Sequence, residues 1–186
     1  MLPNIAFKGT SGVIDNYFEL ACKGSPLLWT SAVTVSKKEL ISVGMFMDNV
    51  KSGEDLLLWA KLAQFCKIAY LNSAKAIYYF PVRIDVKLNI RMPDSKDIVY
   101  RELRKMYSVE TRADIKRSMR GYIGHWCKIR LHIFSHNKKP LLAFNEYIKM
   151  IKFTPVNLKG LLLLIFAFLP TFIHNRVFSS KMNKMK

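Results

Sequence analysis

The chain has 186 residues with 30 Lys/Arg against 13 Asp/Glu, a formal net charge of +17. That length allows one domain with a real core, or a small core plus an appendage, and excludes a larger multidomain protein. Cys22, Cys66 and Cys127 are three in number and in no C-x-x-C pair, which suggests neither a disulfide framework nor a zinc site and reads as a reducing, cytoplasmic compartment.

The charge is uneven. Residues 1–80 carry 8 Lys/Arg against 6 Asp/Glu, whereas residues 81–186 carry 22 against 7. A basic second half of this kind calls for an anionic partner: nucleic acid, anionic lipid headgroups or a phosphorylated substrate.

Met1 to Thr10 lacks the basic start and long apolar core of a secretory signal. Ala32 to Val35, β-branched and apolar, predicts a short strand. Ser36-Lys37-Lys38-Glu39 is a capping-box pattern opening a short helix that Gly44 can close. An amphipathic helix is expected from Asp55 to Cys66, then strands at "KIAYL" and "AIYYF" on either side of Asn72-Ser73. This alternation is an α/β rhythm.

The texture changes near Pro81, with a boundary expected between Pro81 and Pro93: one domain over residues 1–82 and a basic, mostly helical region over 83–186. Helices are expected at about Asp97 to Tyr107, Thr111 to Phe134 and Leu141 to Phe153, with Ser95 and Ser108 as candidate caps and Asn137-Lys138-Lys139-Pro140 as a break. The longest apolar run, Leu161 to Ile173, has 13 residues and contains Pro170. It falls short of the roughly 20 residues that span a bilayer. Flanked by Lys149, Lys152, Lys159, Arg176, Lys181, Lys184 and Lys186, it reads as an interfacial segment or a helix packed on the domain.

The chemistry-bearing stretch is "SGEDLLLWAKL", Ser52 to Leu62, with two carboxylates ahead of an apolar run. As a capping device, Ser52 would be the N-cap and Asp55 the third helical residue, with both acids favouring the positive end of the helix. At 100° per residue, however, Asp55 shares the azimuth of Trp59, Leu62 and Cys66, whereas Glu54 lies near Lys61 at the polar edge. Asp55 is therefore expected to point inward, where it either bonds the cap or lines a cleft. A carboxylate lining a cleft can act as a general base on a substrate hydroxyl.

The segments "LLWTSAVTVSKKELISVGMF" and "SGEDLLLWAKLAQFCKIAYLNSAKAIYYF" together resemble the acceptor-side half of bacterial family 2 glycosyltransferases of the glycosyltransferase-A fold. The shared order is a T/S-S-A-V strand, a short helix ending in G-x-F, a variable loop, G-E-D opening a Leu- and Trp-rich helix, and closing strands. The similarity covers about residues 25–80. It implies a partial, Rossmann-like glycosyltransferase-A half-domain, with Asp55 as the base that deprotonates the acceptor hydroxyl. It also implies that Glu54 orients the acceptor and that Trp29, Thr30 and Ser31 lie near the cleft floor.

The same resemblance implies a nucleotide-sugar donor and a divalent metal, Mg or Mn, held by an Asp-x-Asp motif. No D-x-D and no Gly-rich phosphate loop occur in this sequence. The expectation is the C-terminal portion of such an enzyme, inactive as this chain alone, with an N-terminal donor-binding half as partner. The acceptor would be a polysaccharide or lipid-linked oligosaccharide, handled at the inner face of the cell membrane.

The alternative is a non-catalytic membrane-surface or partner-binding module. Nucleic acid is not expected as a partner, because the basic residues are mixed with long apolar runs. His132 and His136, at i and i+4, can meet on a helix face but have no third ligand in pattern. Tyr78-Tyr79-Phe80 reads as a buried strand, with Tyr78 able to border the cleft.

Overall fold

The computed structural model describes residues 10–23, 27–73, 75–77, 92–94 and 96–170. The fold is mixed α/β and mostly helical. Strand β1 (Ser11–Ile14) is followed by helix α1 (Tyr17–Ala21), a 3-10 turn (Thr30–Ala32), α2 (Lys37–Ser42), α3 (Glu54–Phe65) and strand β2 (Ile68–Leu71). Helices α4 (Ile98–Val109), α5 (Ala113–His136), α6 (Pro140–Ile151) and α7 (Leu158–Phe168) complete it. Contacts divide the chain into two compact units, residues 1–123 and 124–186, with the division inside α5. The boundary expected between Pro81 and Pro93 falls mostly outside the described residues.

In the first unit β1 and β2 pair antiparallel, Ser11 opposite Leu71 and Ile14 opposite Ile68. A two-stranded ribbon is marginal alone and needs a helical layer. That layer begins where Asn16 caps α1: its Oδ1 accepts the Glu19 N–H at 3.2 Å while its Nδ2 donates to Ser118 Oγ at 2.8 Å. Tyr17, Phe18 and Tyr122 then form an aromatic cluster with ring centroids 5.5 to 5.9 Å apart.

Helix α3 is the spine of this unit, and Leu57, Leu58, Trp59, Ala60 and Leu62 are all buried. It packs against α1 and against α4, which buries Val99 and Leu103. A polar staple closes its far end. Arg112 donates from Nε and Nη2 to the two Glu110 oxygens at 2.9 and 2.7 Å, and from Nη2 to the Gln64 carbonyl at 2.7 Å. Gln64 Nε2 donates to Glu110 at 3.1 Å. These bonds hold the Glu110 carboxyl down at about 2, chiefly through Arg112.

Several expected elements are shifted. "TSAV" is a single 3-10 turn running into extended Val33 (φ −116°, ψ 135°), with no ladder partner among the described residues. Thr and Val favour a strand only when a neighbouring strand is there to pair with. The helix at Ser36 is present, though Ser36 makes no side-chain cap bond. Its end follows the expected glycine: Gly44 (φ 82°) donates to the Ile41 carbonyl and Met45 to Leu40, a Schellman closure. Asp97 caps α4, accepting the Tyr100 N–H at 3.0 Å. Ser108 lies within α4 and bonds back to the Lys105 carbonyl, while Ser95 lies outside the described residues. Of "AIYYF", Ala76 and Ile77 have no regular structure and Tyr78 to Phe80 are outside the described residues.

The second unit continues α5 and adds α6 and α7, with Trp126, Cys127, Leu131, Phe134, Ala143, Tyr147, Met150 and Ala167 buried. The break before α6 is made by Lys138 at φ 54° and Pro140 in the first turn. Of the run Leu161 to Ile173, the part to Phe168 is helical in α7 and residues 171–173 lie outside the described set. No helix among the described residues is long and apolar enough to cross a membrane.

Candidate functional site at the mouth of helix α3

The start of α3 is built around a backbone turn rather than a capping side chain. Gly53 is the N-cap, in the left-handed region at φ 84°, where a side chain would be strained. The helix therefore begins one residue later than a Ser52 cap would place it. Glu54 is its first residue and Asp55 its second, instead of the third. Both acids still lie in the first turn, where the helix end favours negative charge.

Asp55 is half-buried, as is Glu54 beside it. Its Oδ1 accepts the Leu56 N–H at 2.8 Å, and its Oδ2 accepts the Thr30 hydroxyl at 3.3 Å. One carboxylate oxygen thus serves the helix backbone and the other the Thr30 hydroxyl. The Thr30 bond is long for O–H···O, and an ionised carboxylate oxygen offers two acceptor sites, so a second hydroxyl can reach Oδ2.

Behind the carboxylate lie two tyrosines that no sequence pattern marks. The Tyr122 hydroxyl donates to the Leu56 carbonyl at 3.2 Å, and the Tyr17 and Tyr122 hydroxyls are hydrogen-bonded to each other. Burial pushes both tyrosines well above their ordinary range, and the nearby Asp55 charge pushes the same way. They stay protonated, as fixed dipoles behind the helix mouth. The only signals for them are Tyr17 following the Asn16 cap and Tyr122 lying on the apolar side of a basic helix.

Beside Thr30 runs a groove of about 750 Å³ between the segment from Leu27 to Ser36, the far half of α3 and β2. Trp29 and Ser31 line it, and Thr30 lies between them in the chain; Asp55 and Glu54 are not part of its wall. Trp29 is 41% exposed. Trp59, also in the wall, is almost fully buried and its indole N–H has no partner among the described residues. Lys67 and Lys75 supply positive charge at the β2 side.

The structure therefore brings Thr30 and Asp55 into contact and places Trp29 and Ser31 together on the adjoining groove, with Glu54 next to Asp55 in the same helical turn. Among the described residues no group of three or more His, Cys, Asp and Glu is positioned to hold a metal ion. His132 and His136 do meet, Nε2 to Nε2 at 3.1 Å, with the His136 ring edge-on to Phe166. The chain matches no family model, no curated protein and no solved structure.

Proposed function

We propose that the first unit is the acceptor-side part of a family 2 glycosyltransferase, a partial glycosyltransferase-A half-domain. In this reading Asp55 takes the proton from an acceptor hydroxyl as that oxygen attacks the sugar's anomeric carbon. The observation that carries the reading is the Thr30 to Asp55 contact at 3.3 Å, which joins the T-S-A and G-E-D segments across 25 residues of chain. Thr30 holds the place an acceptor hydroxyl would take or share, and the helix N–H fixes the carboxylate so that little reorganisation is needed on binding.

Trp29 offers its face to a saccharide ring, Ser31 a hydroxyl, and Glu54 a second carboxylate for the acceptor. A nucleotide-sugar donor brings a divalent metal, and no group of three or more His, Cys, Asp and Glu that could hold one assembles among the described residues. The reading assigns them to other residues of the complete enzyme, acting at the inner face of the cell membrane.

The direct test is acceptor binding by the chain itself, followed by amide and indole NMR shifts during titration with bacterial oligosaccharides. Saturable shifts at Trp29, Thr30, Ser31, Glu54 and Asp55, lost in Trp29→Ala with the fold intact, are expected. Shifts confined to other surfaces, or none, would reject the acceptor role.

A further inference from the structure

Helix α7 is packed inside out. At 100° per residue Gly160 and Ala167 fall on one side, and these two are its buried residues. Leu158, Leu161, Leu162, Ile165 and Phe168 fall in one stripe on the other side, and each is between 39 and 69% exposed. The small side is a tight seat for α6: a Cβ on Gly160 would come within 2.6 Å of Met150 Cε. A helix on a water-facing surface ordinarily shows the reverse, with large apolar residues inward.

The charges of the second unit are equally one-sided. Residues 124–186 contain eleven Lys/Arg and one acidic residue, Glu146. Glu146 is 2% exposed, with Oε1 3.2 Å from Arg130 Nε and 2.9 Å from Lys149 Nζ. The unit thus shows water no acidic side chain at all. Lys139, Lys152 and Lys159 are exposed, the last on α7 itself.

We propose that the Leu158, Leu161, Leu162, Ile165 and Phe168 face of α7 is a docking surface for anionic lipid, with the helix lying in the plane of the headgroups. Eleven residues make a rod about 16 Å long. That is too short to cross a bilayer and suits a helix whose large side chains enter the acyl boundary while lysines meet lipid phosphates. A second copy of the chain would bring like-charged surfaces together, and nucleic acid would leave the apolar stripe in water. This inference rests on the second unit alone and stands whether or not the first unit transfers sugar.

The test is co-sedimentation of the full chain with vesicles of phosphatidylcholine plus phosphatidylglycerol, and of phosphatidylcholine alone, at low and high salt. Wild type should bind the anionic vesicles at low salt and lose about tenfold or more in affinity when salt shortens the Debye length. The double variant Leu162→Ser/Ile165→Ser alters only exposed residues and should bind about 30-fold more weakly, with an unchanged circular dichroism spectrum. Lys152→Gln/Lys159→Gln should weaken binding to anionic vesicles by about tenfold. No binding to anionic vesicles at low salt, or full binding by the Leu162/Ile165 variant, would overturn the proposal. So would wild-type self-association, abolished by that variant, in place of vesicle binding.

Discussion

The two units treat acids and large apolar side chains in opposite ways. The first buries Leu57, Leu58, Trp59 and Phe18 and leaves Asp55 and Glu54 at a helix mouth beside an open groove. The second buries its one acid and turns the leucines of α7 outward. Under the proposed function, the first unit takes a polar ligand that exchanges hydrogen bonds with fixed groups. The second offers apolar area and positive charge with no exposed acid, which suits an extended surface.

The contrast is sharpest in the two buried glutamates. Glu110 receives bonds on both oxygens, from Arg112 and Gln64, whereas Glu146 meets Arg130 and Lys149 at Oε1 and its Oε2 accepts no hydrogen bond among the described residues. Removing Glu146 should have the largest effect on stability. Glu146→Ala strips the carboxylate from Arg130, which is buried between the Trp126 and Phe134 rings, and should cost about 3–5 kcal/mol. Hydrogen-exchange protection across α6 measures it; a loss below about 1 kcal/mol would mean that Arg130 does not depend on this acid.

A smaller effect is expected at Glu110. Its carboxyl is depressed from 4.5 to about 2, so its stabilising effect is complete above the unfolded value and lost as pH falls from about 4.5 toward 2. Because the Arg112 side chain is half exposed, screening reduces the contribution to about 1–2 kcal/mol. Urea denaturation at a series of pH values should show this slope in wild type and its absence in Glu110→Gln. An unchanged slope in the variant would place the acid sensitivity elsewhere.

The sequence showed helices α2 to α6, because their apolar period and their breaks at Gly44 and Pro140 act within a few residues. It also showed both acids, Glu54 and Asp55, in the first turn of α3. It did not show β1 or α1, since "SGVI" and "YFELA" are too short for a period to appear. It misplaced the start of α3 because Ser52 satisfies a capping pattern while Gly53, by its left-handed φ, sets the real turn. Tyr17 and Tyr122 meet across more than a hundred residues, and nothing local in either predicts the other. The outward face of α7 was hidden as well. Apart from Lys159 its residues are apolar all round, and only packing on Gly160 and Ala167 decides which side remains open.

The central claim, that the mouth of α3 is a site of chemistry rather than a helix cap alone, is tested most directly by Asp55→Asn, with turnover and stability measured in the same protein. The assay is run on the complete enzyme that the proposed function calls for, with a nucleotide-sugar donor supplied. Asparagine keeps a side-chain oxygen for the Leu56 N–H but cannot take a proton from an acceptor hydroxyl. The account predicts a fall in kcat of about 100-fold or more, with donor affinity retained and a stability change of about 1 kcal/mol or less. Wild-type turnover at saturating acceptor, accompanied only by a loss of stability, would contradict it and return Asp55 to the helix.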